Sequence, residues 1–261
     1  MNNEPFFRRE ADGRYQPTPV GRGPWNPQSL HGRILIGLLA REIEVKHGHP
    51  DFMPARLTVD MYRLPDFSPA EVTTHVVRDG NRIKVIDAEY LCNGVSMGRA
   101  SCQLLKRTEN PQENVWRPPN WDAPKPADIA PPDDTRGGMA GMWTTRPIQG
   151  AFGTLGQKRV WMADVRELVE GEAISPFQRV ALASDFASPF ANSGDQGLQW
   201  INSDVTQYLH RLPRTEWIGV ETVNHGATDG VAVSECFLYD EDGPIGFASV
   251  AALAQRRMNN G

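Results

Sequence analysis

Apolar and polar residues alternate in four runs, near residues 55–63, 70–78, 81–92 and 96–107, separated by the breakers DFSP, RDGN and CNG. Period-two alternation predicts strands with one buried face, and the breakers predict tight connections, so a four-stranded antiparallel meander is expected. The stretch before it has another texture. From Ser29 to Lys46, Ile34, Leu35, Ile36, Leu38 and Leu39 leave little polar circumference until Arg41 and Glu42, which predicts a centrally buried helix. Pro27 and Ser29 suit its start, and the small Gly32, Gly37 and Ala40 suit close packing against a sheet. Residues 5–24 read as short extended pieces.

Between Thr108 and Gly141 the periodicity fades into seven prolines set among Asn, Asp and Glu, the composition of a linker. Trp116, Trp121 and Trp143 are more aromatic than a free tether requires, so the segment is expected to clamp onto its neighbours. The helix-then-meander plan then returns. A strand near 157–166 precedes GEAISPFQRVALASDF, in which Ser175 as N-cap and Pro176 at the first helical position announce a helix. Strand-like runs follow near 199–211, 216–222, 230–239 and 244–255, with HGATDG and YDEDG as turns.

The halves also share residues at one spacing. RLTVDMYRLP (Arg56 to Pro65) lies over NSDVTQYLHRLP (Asn202 to Pro213), pairing Thr58 with Thr206, Arg63 with Arg211 and Pro65 with Pro213, each 148 residues apart. SMGRASCQLL (Ser96 to Leu105) lies over PIGFASVAAL (Pro244 to Leu253) at the same 148. Two matches at one offset predict a duplicated unit. The expected organisation is an N-terminal unit over 1–107, a Pro-rich linker over 108–141 and a C-terminal unit over 142–261.

A formal net charge of −5 argues against nucleic acid or an anionic membrane surface as partner, so any anionic ligand must be met by local positive charge. The N-terminal MNNEPFFRREADG lacks an apolar leader core, and no run of about eighteen apolar residues occurs, giving the expectation of a cytoplasmic protein. Cys92, Cys102 and Cys236 lack metal-site spacing and read as buried apolar residues. No phosphate-binding Gly-rich loop, GxSxG elbow or HExxH occurs.

Asp185 falls beside the apolar stripe of its helix, near the C-terminal end. Burial and the helix dipole would both raise its pKa towards the range of a general base, whereas an exposed last-turn position would leave it ordinary. On one regular strand Asn202, Asp204, Thr206, Tyr208 and His210 would share the face available to it. A hydratase would need an Asp and a His over one substrate carbon, and the sequence offers no evident pair.

GPW…HGRILIGLLARE in the first half, and LVEGEAISPFQRVALASDF, INSDVTQYLHRLP, EWIGVE and DGPIGFAS in the second, resemble the double-hotdog acyl-CoA thioesterases, the type II bacterial thioesterase-like superfamily. The resemblance implies an α+β double hotdog, two repeats of a long central helix wrapped by an antiparallel sheet. It also implies acyl-CoA hydrolysis without metal or added cofactor, coenzyme A being part of the substrate, and a homodimer or higher homo-oligomer. Asp185 matches the family's catalytic acid in the ASD segment. Asn202 matches a threonine that helps hold the attacking water, with Thr206 a weaker neighbour. The family's glutamine on the last strand should fall near Ala252 and is absent, while Gln255 would point to the opposite face of a regular strand. His31-Gly32-Arg33 stands where many hotdog enzymes have His-Gly-Gly, which makes these three substrate-binding candidates together with Arg211, the candidate contact for the coenzyme's phosphates. The missing glutamine leaves an alternative, a non-catalytic acyl-CoA-binding protein.

Overall fold

The computed structural model describes residues 4–117, 119, 121–132 and 141–255. Strands β1 (Phe7–Arg9) and β2 (Tyr15–Pro17) lead to helix α1 (Gly32–His47) and the meander β3 (Phe52–Met61), β4 (Ala70–Asp79), β5 (Ile83–Cys92) and β6 (Val95–Lys106). Next come β7 (Trp143–Gln149), β8 (Arg159–Asp164), α2 (Pro176–Ser184) and α3 (Ala187–Asn192). The chain then runs through β9 (Ser193–Gly194), β10 (Gly197–Leu198), β11 (Trp200–Asn202), β12 (Asp204–Leu209), β13 (Ile218–Thr228), β14 (Val231–Asp240) and β15 (Gly243–Ala254).

Thirteen of these strands form one antiparallel sheet in the order β1-β2-β4-β5-β6-β3-β12-β15-β14-β13-β8-β7, with β11 beside β15. The halves join where β3 pairs with β12, and Thr58 there lies opposite Thr206. Ladder positions recur across the junction. Thr58 faces Ser101 and Thr206 faces Ser249; the β5–β6 ladder slips between Tyr90 and Leu91, and the β14–β15 ladder between Leu238 and Tyr239.

Alternation along β3, β5 and β14 buries every second side chain; α1 covers that face of β3 and β5, and α3 covers it on β14. The two helices meet closely at Gly37, where a Cβ would stand 2.5 Å from Leu182 Cδ2. Gly37 therefore serves the neighbouring helix, not the sheet as expected. Arg41 and Glu42 are buried at the end of this core, where Arg41 binds Glu172 and Tyr15 donates to Glu42 at 2.5 Å. Burial pushes the Glu42 carboxyl up, but hydrogen bonds from Lys46 and Tyr15, with the Lys46 and Arg41 charges, hold it below its ordinary value.

Several elements differ from the sequence expectation. Helix α1 begins at Gly32 with His31 as N-cap, because Ser29 instead turns its hydroxyl to the Asn26 carbonyl. HGATDG is mostly strand: β13 continues to Thr228, and only Asp229 and Gly230 turn, both with positive φ. Strand β7 was not anticipated, since Pro147 interrupts its pattern; as the terminal strand it needs only one hydrogen-bonding edge.

Within the proline-rich segment, Pro118, Asn120 and 133–140 lie outside the described residues. Trp121 stacks on Tyr239 at 4.2 Å between centroids and meets Trp161 edge-on, over Gly219, where a Cβ would come within 2.1 Å of its ring. The Trp161 indole donates to the Pro124 carbonyl at 2.9 Å. The segment does clamp, through Trp121, while Trp116 is exposed. No described helix is long and apolar enough to cross a membrane.

Candidate active site

Helix α1 starts against the break between α2 and α3. The sequence predicts one helix through Asp185, but α2 ends at Ser184 and the chain turns through Asp185 and Phe186 before α3, with Phe186 N–H bonded to the Ala183 carbonyl and Ser188 N–H to the Asp185 carbonyl. Asp185 is thus fixed in an inter-helix corner, 4% exposed. Its carboxylate has two partners. Asn202 Nδ2 donates to Oδ1 at 3.1 Å, and His31 Nδ1 stands 3.2 Å from Oδ2.

These contacts reverse the pKa expectation. Burial does push Asp185 up, as the largest single influence, but the His31 contact, the Asn202 hydrogen bond and the Arg33 charge together hold it below the ordinary carboxylate value. The dipole argument also loses its basis, because α3 follows at once.

His31 is the N-cap of α1, accepting from Arg33 N–H at 3.2 Å through the same Nδ1 that faces Asp185. A bare Nδ1 serves the helix and a protonated Nδ1 serves the carboxylate; one nitrogen cannot do both at once. The Asp–His pair that the sequence did not disclose therefore exists in space, across 154 residues of chain. Beside it, the N–H of Gly32 sits at the first helical position, with no acceptor in the helix or elsewhere among the described residues. A Cβ at Gly32 would lie 3.4 Å from Asp185 Oδ1 and 3.0 Å from Met61 Sδ, so glycine keeps the space before the carboxylate open.

Asn202 reaches Asp185 because the strand is broken at Ser203. Asn202 lies opposite Ala252, yet Thr206 lies opposite Ser249, so one extra residue is taken up between them. That slip inverts the alternation. Asn202 faces the cavity, whereas Thr206 bonds to Thr58 Oγ1 at 3.2 Å and does not line it. The single polar face expected for Asn202 and Thr206 is not formed.

The cavity measures about 530 Å³. His31, Gly32, Asp185, Ser188 and Asn202 supply polar lining, and Leu35, Met61, Leu198, Ile201 and Leu253 supply apolar lining, with Trp25, Tyr62 and Arg63 also at its wall. Two expected contacts lie elsewhere. Arg33 is 2% exposed, paired with Asp164 at 2.5 Å and set over the Trp143 ring, so it ties α1 to β7 and β8. Arg211 grips Asp240 through both terminal nitrogens, at 2.5 and 2.6 Å. Ala252 is buried opposite Asn202 and offers no amide. Gln255 does line the cavity: β15 ends at Ala254, so strand alternation no longer dictates its direction. Among the described residues no three His, Cys, Asp or Glu side chains cluster as metal ligands do.

The family model of the acyl-CoA thioesterase N-terminal domain matches residues 21–105, and that of the acyl-CoA thioesterase C-terminal domain matches residues 120–249. The chain belongs to the acyl-CoA thioesterase family. As a member it is a thioester hydrolase. Solved structures similar to this acyl-CoA thioesterase family member include a hot dog fold protein of unknown function from Alicyclobacillus acidocaldarius, at 16% identity over 95% of this chain and 96% of that one, with a TM-score of 0.76. The tesB protein of Mycobacterium avium subs paratuberculosis matches at 12% identity over 96% of each chain, with a TM-score of 0.70. The acyl-CoA thioesterase II TesB2 of Mycobacterium marinum matches at 16% identity over 88% of this chain and 91% of that one, with a TM-score of 0.64. These similarities give this thioesterase a hot dog fold. A search of curated proteins found no match.

Proposed function

We propose that the protein hydrolyses acyl-CoA thioesters to free acid and coenzyme A, with Asp185 as the base that activates water and Asn202 as the group that orients it. The observation carrying this reading is the buried Asp185 carboxylate, bonded by Asn202 at 3.1 Å and open to a cavity beside the free Gly32 N–H. Water gives its proton to Asp185 as its oxygen attacks the thioester carbonyl carbon. The Gly32 N–H, at the positive end of α1, stabilises the oxyanion. Collapse of the adduct breaks the C–S bond, and the departing thiolate takes the proton back from Asp185. His31 is a positioning residue: with Nδ1 protonated it holds the carboxylate, and with Nδ1 bare it caps the helix.

A base with a lowered pKa is weak, so this reading relies on orientation more than on basicity. With Ala252 in place of an amide, Asn202 carries the orienting role and Gln255 stands at the cavity as a second amide. Removal of the Asp185 charge tests the reading: turnover must collapse in Asp185→Asn.

The same reading takes the chain as a double hotdog, with units at 1–107 and 142–261 joined by 108–141. Support comes from the matching strand orders on either side of β3–β12, from ladder slips 148 residues apart at Tyr90 and Leu238, and from Thr58 opposite Thr206. It also takes the molecule as a homodimer or higher assembly, favoured by Val231, Val233 and Tyr208 exposed on the outer sheet face. Sedimentation of the native protein as a monomer would remove that part.

A further inference from the structure

Among the described residues, the cavity wall holds one arginine, and its charge meets no internal partner there. Arg63 is exposed, and among the described residues its guanidinium makes neither an ion pair nor a side-chain hydrogen bond. It is also the only Lys or Arg among the described residues lining the cavity.

Its counterpart 148 residues on makes the contrast informative. Arg211 is held by Asp240 and also donates to the Gly243 carbonyl at 3.0 Å. The position matching Asp240 in the first half is Cys92: Asp240 lies opposite Gly243 in the β14–β15 ladder, and Cys92 lies opposite Val95 in the β5–β6 ladder. Cys92 is buried, and burial pushes its thiol up to about 11, so it is neutral and offers no charge to a guanidinium. The first half has kept the arginine without the carboxylate that immobilises its partner in the second.

An arginine retained without an internal acceptor, beside the active-site cavity of a chain with net charge −5, is matched to an anion from outside. Resting on the thioesterase reading above, we propose that Arg63 binds a phosphate group of the substrate's pantetheine-bearing carrier at the cavity mouth. The thioester is thereby oriented with its acyl chain running past Asp185 towards Leu198, Ile201 and Leu253. Arg63 is a positioning residue for the leaving-group side of the substrate, in the role the sequence assigned to Arg211.

The test is steady-state kinetics of wild type, Arg63→Ala and Arg63→Lys on an acyl-CoA and on the same acyl group carried by N-acetylcysteamine, which keeps the thioester and lacks phosphate. Arg63→Ala is expected to raise KM for acyl-CoA about tenfold more than for the N-acetylcysteamine thioester, with kcat little changed, the size of one charge-assisted contact. Arg63→Lys should recover most of the loss. An equal effect on both thioesters, or none on acyl-CoA, overturns the proposal. An acyl carrier protein substrate separates the two sources of phosphate: a KM effect confined to acyl-CoA assigns the contact to the nucleotide end, and an equal effect on both carriers assigns it to the phosphate at the pantetheine end that they share. If wild type turns over none of these, the hydrolytic reading has failed, and calorimetry with coenzyme A alone then decides on Arg63. A roughly tenfold weaker Kd in Arg63→Ala supports it, and an unchanged Kd overturns it.

Discussion

Thr58 and Thr206 face each other across the β3–β12 junction, with their Oγ1 atoms 3.2 Å apart. Residues 148 apart in sequence are thus neighbours in space, as expected if an approximate twofold axis relating two equal units passes between them. The contact occupies the Thr206 hydroxyl on the sheet face away from Asp185. Thr206→Val should therefore leave kcat/KM within about twofold and lower stability by about 1 kcal/mol, the usual worth of one hydrogen bond. Denaturant unfolding with parallel kinetics reads both, and a hundredfold loss of activity would return Thr206 to the water-binding set.

Gly32 supplies both a free N–H and an empty volume. In Gly32→Ala the added methyl would sit 3.4 Å from Asp185 Oδ1, where water must stand to be activated. The expected result is a fall in kcat of about 10²-fold with a melting temperature close to that of wild type, since alanine favours the helix and the Met61 side chain can yield. Kinetics beside a thermal melt separate these, and unchanged kcat would remove Gly32 from the mechanism.

The acid side of the pH–rate profile follows from the Asp185 environment. Its pKa is lowered, so the carboxylate proposed as the base stays ionised as pH falls until the pH passes below the ordinary aspartate value of about 4. Between pH 5 and 7, kcat/KM should show no decline owed to this group. Stability has the same sign: the ionised Asp185 stabilises the fold above the unfolded-state pKa, and that contribution is lost as pH falls through the lower folded-state value. A limb centred near pH 6 that vanishes in Asp185→Asn would contradict this assignment.

Much of the architecture was legible because it rests on local rules. The alternation in β3 to β6, the Ser175–Pro176 start of α2 and the turn at Asn93–Gly94 follow from side-chain period, capping and φ preference, each readable within a few residues. Asp185 was legible as a candidate from its place beside the apolar stripe of its helix and was strengthened by the resemblance, whereas the water-orienting role of Asn202 came through the resemblance. Their partnership depends on the slip at Ser203 and the helix break after Ser184, and no residue type announces either. His31 as partner of Asp185, and the commitment of Arg33 to Asp164 and Arg211 to Asp240, depend on which charges meet in space. Gln255 was misdirected by extending strand alternation one residue past the end of β15.

The central claim is that Asp185 activates the water. The most direct measurement is release of free coenzyme A from short, medium and long acyl-CoAs, followed with a thiol reagent, for wild type and Asp185→Asn side by side. The amide keeps the size of the side chain and removes the charge, so kcat should fall at least about 10³-fold while KM changes little. Equal turnover by the two proteins would contradict the account.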